Sequence, residues 1–139
     1  MGGNAGEMLE SMENPLVQAL LVCEQVITDE RTHRKSLINV FNHVHTRAFP
    51  LVFPELTVFA SLTNGNGALN CELRCVKGDG VTPIFSTRGP IEFPDPNALV
   101  DLVFSLNDLA FPEAGTYSFL LFSEDDLLAE RRFHVAQAR

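Results

Sequence analysis

Two histidines, His43 and His45, are separated only by Val44, and they are the residues best spaced for chemistry. At i and i+2 on a strand, both imidazoles project from one face with their Cα atoms ~7 Å apart. Rings so placed can share one ion, as in strand-borne zinc sites. A third ligand would come from His33, His134 or a carboxylate elsewhere in the chain. Cupin-like sites add a Glu after the pair, but Phe49 and Pro50 stand in that stretch. A polar sheet face with two solvated histidines gives the same pattern without metal. His43 and His45 are therefore the candidate metal ligands, and no cofactor is implied.

Other chemistry is thinner. Acidic residues collect in expected turns, at Asp29-Glu30, Asp79, Asp95, Asp108 and Glu124-Asp125-Asp126. Calcium-binding sandwiches use loop carboxylates of this kind, with about six to eight oxygens around the ion. Turns favour Asp anyway, because its side chain bonds the local backbone. There is no EF-hand spacing and no repeated D-x-D. The basic cluster Glu30-Arg31-Thr32-His33-Arg34-Lys35, with Arg131-Arg132 as a second, could dock a phosphate or an acidic partner. It could equally be a solubilising hairpin tip. No G-x-S-x-G elbow, P-loop or dinucleotide fingerprint is present. No catalytic residue is assigned, and an unrecognised hydrolase is kept only as a second alternative.

The elements that would position these groups are short. The chain has 139 residues, 45% hydrophobic and 20% charged, which fits one domain with one core. Ten Lys+Arg against eighteen Asp+Glu give a net charge of -8, which repels nucleic acid and anionic membrane surfaces alike. No apolar run approaches the ~20 residues of a membrane-spanning helix. The opening segment is acidic and does not read as a secretory signal. Eleven Phe against one Tyr and no Trp make the aromatics core filler.

Cys71 and Cys75 sit four apart in one expected strand, with Cα atoms ~13 Å apart, too far for a disulfide. Together with Cys23 they read as buried thiols in a reducing compartment, which suggests a cytoplasmic setting.

Residues 1–15 read as a tail, with a short helix over Glu7–Glu13 as the other option. From Leu16 to residue 136, apolar runs are cut by turn residues about every ten positions. The expectation is all-β, about eight strands, in a mostly antiparallel two-sheet sandwich, with a barrel as the runner-up. The first run, Leu16–Thr28, reads as a central strand. Leu37–Thr46 reads as one strand. Pro50 and Pro54 should break the ladder and mark a crossing between sheets. Asn64-Gly65-Asn66-Gly67 and Lys77-Gly78-Asp79-Gly80 read as hairpin turns. Leu69, Cys71, Leu73 and Cys75 should face the core, as should Val100, Leu102, Phe104 and Leu106.

Pro83 and Pro90 make the strand to Phe93 an edge candidate. That strand and the first run carry more apolar surface than one sheet face needs, surface that the N-terminal tail could cover or that could meet another subunit. Ile84, Phe85, Ile91 and Phe93 are thus the candidate interface, for a homo-oligomer or a protein partner.

Two stretches carry a resemblance. One is ALLVCEQVITDERTHRKSLINVFNHVHTRAFP, and the other is FPEAGTYSFLLFSEDDLLAERRFHV, whose Phe-Pro-x-x-Gly-x-Tyr reads as a hairpin. Together the pair resembles a family of small, uncharacterised bacterial proteins that are single β-sandwich-like domains. The resemblance covers roughly Leu16 to Val135 and implies the fold and a bacterial cytoplasmic setting. It supplies no activity and no catalytic residues. A non-enzymatic interaction or self-assembly module is the leading expectation, with a metal- or ligand-binding sandwich as the alternative.

Overall fold

A computed structural model describes residues 14–139 apart from Asp79 and Val81. Most of the expected tail, including the Glu7–Glu13 helix option, lies outside the described residues. From Leu16 onward the chain is strand and turn. The strands are β1 (Leu16–Thr28), β2 (Lys35–Val40), β3 (His43–Thr46), β4 (Leu51–Thr63), β5 (Gly67–Lys77), β6 (Pro83–Phe93), β7 (Val100–Phe111), β8 (Gly115–Ser123) and β9 (Asp126–Gln137). They form a four-stranded sheet in the order β2-β1-β4-β7 and a five-stranded sheet in the order β3-β9-β8-β5-β6. The two sheets make an all-β sandwich, as the alternation of apolar residues predicts.

That alternation places the core. Leu73 and Cys75 of β5, Leu56, Val58, Ala60 and Leu62 of β4, and Leu106 of β7 point between the sheets and are buried. Leu69, Val100, Leu102 and Phe104 pack against them. At the centre lie Phe111, Tyr117, Phe119 and Phe133, all fully buried. Phe111 meets Tyr117 edge-on at 4.9 Å and stacks on Phe133 at 5.5 Å between ring centroids. Each such ring is worth about 1.5–3 kcal/mol by burial alone.

Among the described residues the strand count is nine rather than eight, because Leu37–Thr46 is two strands. Asn39 takes a positive φ of 53°, and Phe41 then turns inward against Phe53 and Phe133. The chain leaves the four-stranded sheet at Val40 and enters the other sheet at His43. There β3 runs parallel to β9, the one parallel pair among antiparallel neighbours. Phe41 packs, partly buried, against the core.

Two turns differ from expectation, and the crossing expected at Pro50 is present. Asn64–Gly67 joins β4 to β5 across the sheets, as does Pro112–Ala114 between β7 and β8, so neither closes a hairpin. The bend at the cis Phe49-Pro50 bond carries the chain between sheets. Pro54, however, lies inside β4. It is tolerated because β1 pairs with β4 only as far as Cys23↔Thr57, so no donor is needed on that side.

The sandwich has one closed seam and one open seam. At the closed one, Phe41 N donates to Val22 O at 3.0 Å and His134 N to Asn42 O at 2.8 Å. Arg131 Nε donates to Leu20 O at 2.8 Å. At the open one, β6 and β7 lie side by side, with no ladder between them among the described residues.

Candidate functional site

The structure puts His43 and His45 on the exposed face of β3, with ring centroids 5.7 Å apart and nearly perpendicular. His134 is level with His43 on the adjacent strand. Its Nδ1, however, lies 3.1 Å from Thr116 Oγ1 of β8, and His43 Nδ1 lies 3.2 Å from Asn42 Oδ1. His33 lies in the β1–β2 loop. Among the described residues, no three His, Cys, Asp or Glu side chains converge on a point where an ion could sit.

Of the acidic turns, Asp79 lies outside the described residues, and three others are engaged by backbone N–H groups. Asp29 Oδ1 accepts from Arg31 N at 2.8 Å and Thr32 N at 2.9 Å, which holds its carboxyl below the usual carboxylate range, Thr32 being the larger cause. Asp95 Oδ1 accepts from Asn97 N at 2.8 Å. Glu124 Oε2 accepts from Asn70 N at 2.7 Å.

Three serines donate to carboxylates: Ser61 to Asp101 at 2.7 Å, Ser86 to Glu72 at 2.9 Å and Ser118 to Glu130 at 2.6 Å. In none of these does an imidazole stand between hydroxyl and carboxylate. The proton-accepting order that makes a serine a nucleophile is therefore missing from them.

All three thiols are free and buried. Burial pushes Cys75 up to about 12. It pushes Cys71 up to about 11, with the Glu124 charge adding to the effect. These are inert thiols at neutral pH.

The open seam is where surface chemistry remains. As its prolines suggest, β6 is an edge strand. Of the four residues expected to form an interface, Phe93 is only 2% exposed and belongs to the core. Ile84, Phe85 and Ile91 are half-buried and pack against it. The β6 ladder explains this, because Phe85, Ile91 and Phe93 share the inward face with their partners Cys75, Leu69 and Gly67. What β6 shows to solvent is Ser86, Arg88, Pro90 and Glu92.

The larger uncovered edge is β7, which the sequence reading did not single out. It pairs with β4 along one side from Leu62↔Val100 to Leu51↔Phe111 and, among the described residues, with no strand on the other. Val103 is 43% exposed and Leu99, just before the strand, 55%. Between β7 and β6 runs a groove of about 260 Å³, floored by Cys71, Ile91, Leu102 and Phe104. Gly89 widens it, since a Cβ there would have nothing within 4 Å. The signal in the sequence is the Pro-free, Lys-free run VDLVFSLN, in which alternation turns Val100, Leu102, Phe104 and Leu106 inward and Asp101, Ser105 and Asn107 outward.

The chain belongs to a family of unknown function, DUF6941, which matches residues 18–136. No curated protein matches it. The match runs from Gln18 in β1 to Ala136 in β9 and so takes in both sheets. This agrees with the resemblance to an uncharacterised single-domain family. Among the described residues, no helix is long and apolar enough to cross a membrane.

Proposed function

We propose that this domain is a non-enzymatic interaction module and that its working surface is the β7 edge, paired in antiparallel fashion with β7 of a second copy. One observation carries the reading: β7 is a long sheet edge without the devices that keep the other edges from pairing. β3 has four residues. β2 has six, carries Lys35, and is bent by the positive φ of Asn39. β6 carries Pro83, Arg88 and Pro90.

β7 has twelve residues with no proline and no Lys or Arg, and is regular until Asp108, whose φ is 56°. A row of free N–H and C=O groups on such an edge is a template for another strand. Twofold pairing centred on Val103 sets Asp101 against the second copy's Ser105, so no carboxylates oppose each other.

Native mass spectrometry of the full-length protein, checked by light scattering after size exclusion, tests the reading. The expected result is a dimer that becomes monomeric in Val103→Lys. At this half-exposed position the change should move stability by no more than about 0.5 kcal/mol. A wild-type monomer at high micromolar concentration, or a Val103→Lys protein that remains dimeric, would sink it.

A further inference from the structure

A second concavity, of about 470 Å³, lies under the tip of the β1–β2 hairpin. β2 and β7 are the outermost strands of the four-stranded sheet, about 14 Å apart at ordinary strand spacing. Yet Lys35 Nζ is 3.8 Å from Asp101 Oδ2. The hairpin must therefore curl back over the outer face of its own sheet. Phe59 confirms it: this side chain is outside the inter-sheet core, alternates with it along β4, and is still only 8% exposed.

The tip is held in shape rather than loose. Asp29 N donates to Arg34 O and His33 N to Asp29 O, both at 2.8 Å. His33 is held at a φ of 61°. His33 and Arg34 thus line the cleft together with Leu99 and Phe59.

The wall is a built polar chain. Gln18 Nε2 donates to Ser61 Oγ at 3.2 Å, and Ser61 Oγ donates to Asp101 Oδ1 at 2.7 Å. The second oxygen of Asp101 faces Lys35. Ser61 is 3% exposed. Asp101 is therefore engaged at both oxygens and offset by a cation. Arg34 has no carboxylate partner among the described residues, in a chain where acidic residues outnumber basic ones eighteen to ten. Arg31, Arg47 and Arg139 share that lack, but Arg34 lines the cleft with Phe59 and Leu99, where it fits an anion from outside.

We propose that this cleft binds a small organic carboxylate with an apolar body. The head is taken by the Arg34 guanidinium, whose planar fork matches a carboxylate, with His33 beside it. The body lies over Phe59 and Leu99. The volume falls within the roughly 300–1,000 Å³ range of small-molecule sites.

Octanoate is the probe, titrated into the full-length protein with amide chemical shifts as the readout. Acetate supplies the head alone and 1-octanol the body alone. Saturable shifts confined to Gln18, Ser61, Lys35, Leu99 and their neighbours are expected. Both half-ligands and the Arg34→Glu protein should bind at least tenfold more weakly. Arg34 is exposed, so the variant should keep the wild-type unfolding midpoint, which shows that it folds. No saturable shifts in the cleft would overturn the proposal. So would 1-octanol or acetate matching octanoate, or an Arg34→Glu protein binding as wild type does.

Discussion

Tyr117 Oη donates to the Glu113 backbone carbonyl at 2.6 Å, four residues upstream, while its ring packs at 4.9 Å against Phe111. The single tyrosine of the chain thus fixes the corner where it leaves β7 for β8. Sandwich domains use such tyrosine corners to pin a crossing between sheets. Glu113 is further held by Lys77 Nζ at 2.6 Å. Tyr117→Phe keeps the ring and removes the hydroxyl's bonds to the Glu113 main chain. It should cost about 1–2 kcal/mol, read as a lower urea midpoint with unchanged slope. An unchanged midpoint would mean that the corner is held by packing alone.

Gly65 lies against the ring of Phe93, so that a Cβ built on Gly65 would overlap it. Phe93 is core, only 2% exposed, and cannot swing away cheaply. Gly65→Ala should destabilise by about 1–3 kcal/mol through overpacking. Gly89→Ala is the control, because a Cβ there meets nothing within 4 Å. It should be neutral, or stabilising by up to about 1 kcal/mol, by restricting the unfolded chain. Equal losses at both positions would contradict the packing described.

The contrast between these glycines marks how much was legible in the sequence. Alternation placed Leu73 and Cys75 correctly, because period-2 burial is a local property of a strand. The prolines of β6 marked an edge, because a missing N–H is also local. Which sheet a strand enters is not local. Asn64–Gly67 has hairpin composition, yet β5 pairs with β6 and β8 rather than β4. Phe41 splits an apparently continuous strand because its pocket is made by Phe53 and Phe133, from distant parts of the chain. The hairpin cleft was hidden for the same reason. Only the fold brings Arg34 and Lys35 over Phe59 and Asp101.

The three cysteines make a pH prediction. Burial raises Cys75 to about 12 and Cys71 to about 11 from an ordinary value of 9.0; Cys23 is also raised by burial, against a smaller lowering by its bond to Gln25 O. At neutral pH the folded protein should resist a thiol reagent such as Ellman's, while the unfolded chain reacts at three thiols. Groups with raised folded values stabilise fully below the unfolded value and lose that contribution as pH climbs to the folded one. Stability should therefore fall above pH 9, by up to about 1.4 kcal/mol per pH unit for each ionising thiol. Urea midpoints at pH 9, 10 and 11 check it, with Cys75→Ala expected to flatten the slope. Rapid native labelling, or a slope unmoved in Cys75→Ala, would refute the assignment.

Arg131 closes the other seam. β2 pairs with β1 only from Cys23 onward, so the first half of β1 has no strand on that side. Phe41 N serves the Val22 carbonyl there, and Arg131 Nε, reaching from β9, serves that of Leu20. Arg131→Met keeps much of the aliphatic stem and deletes the donor. The loss should be about 1–2 kcal/mol, as for a bond with one charged partner at a partly wet site. The effect should also be local. Amide exchange at Phe41 and His134, the two main-chain donors of the same seam, should speed up more than exchange at Leu73 in the core. Uniform acceleration would mean that Arg131 stabilises the whole fold instead, and no change at either donor would mean that the seam stays shut without it.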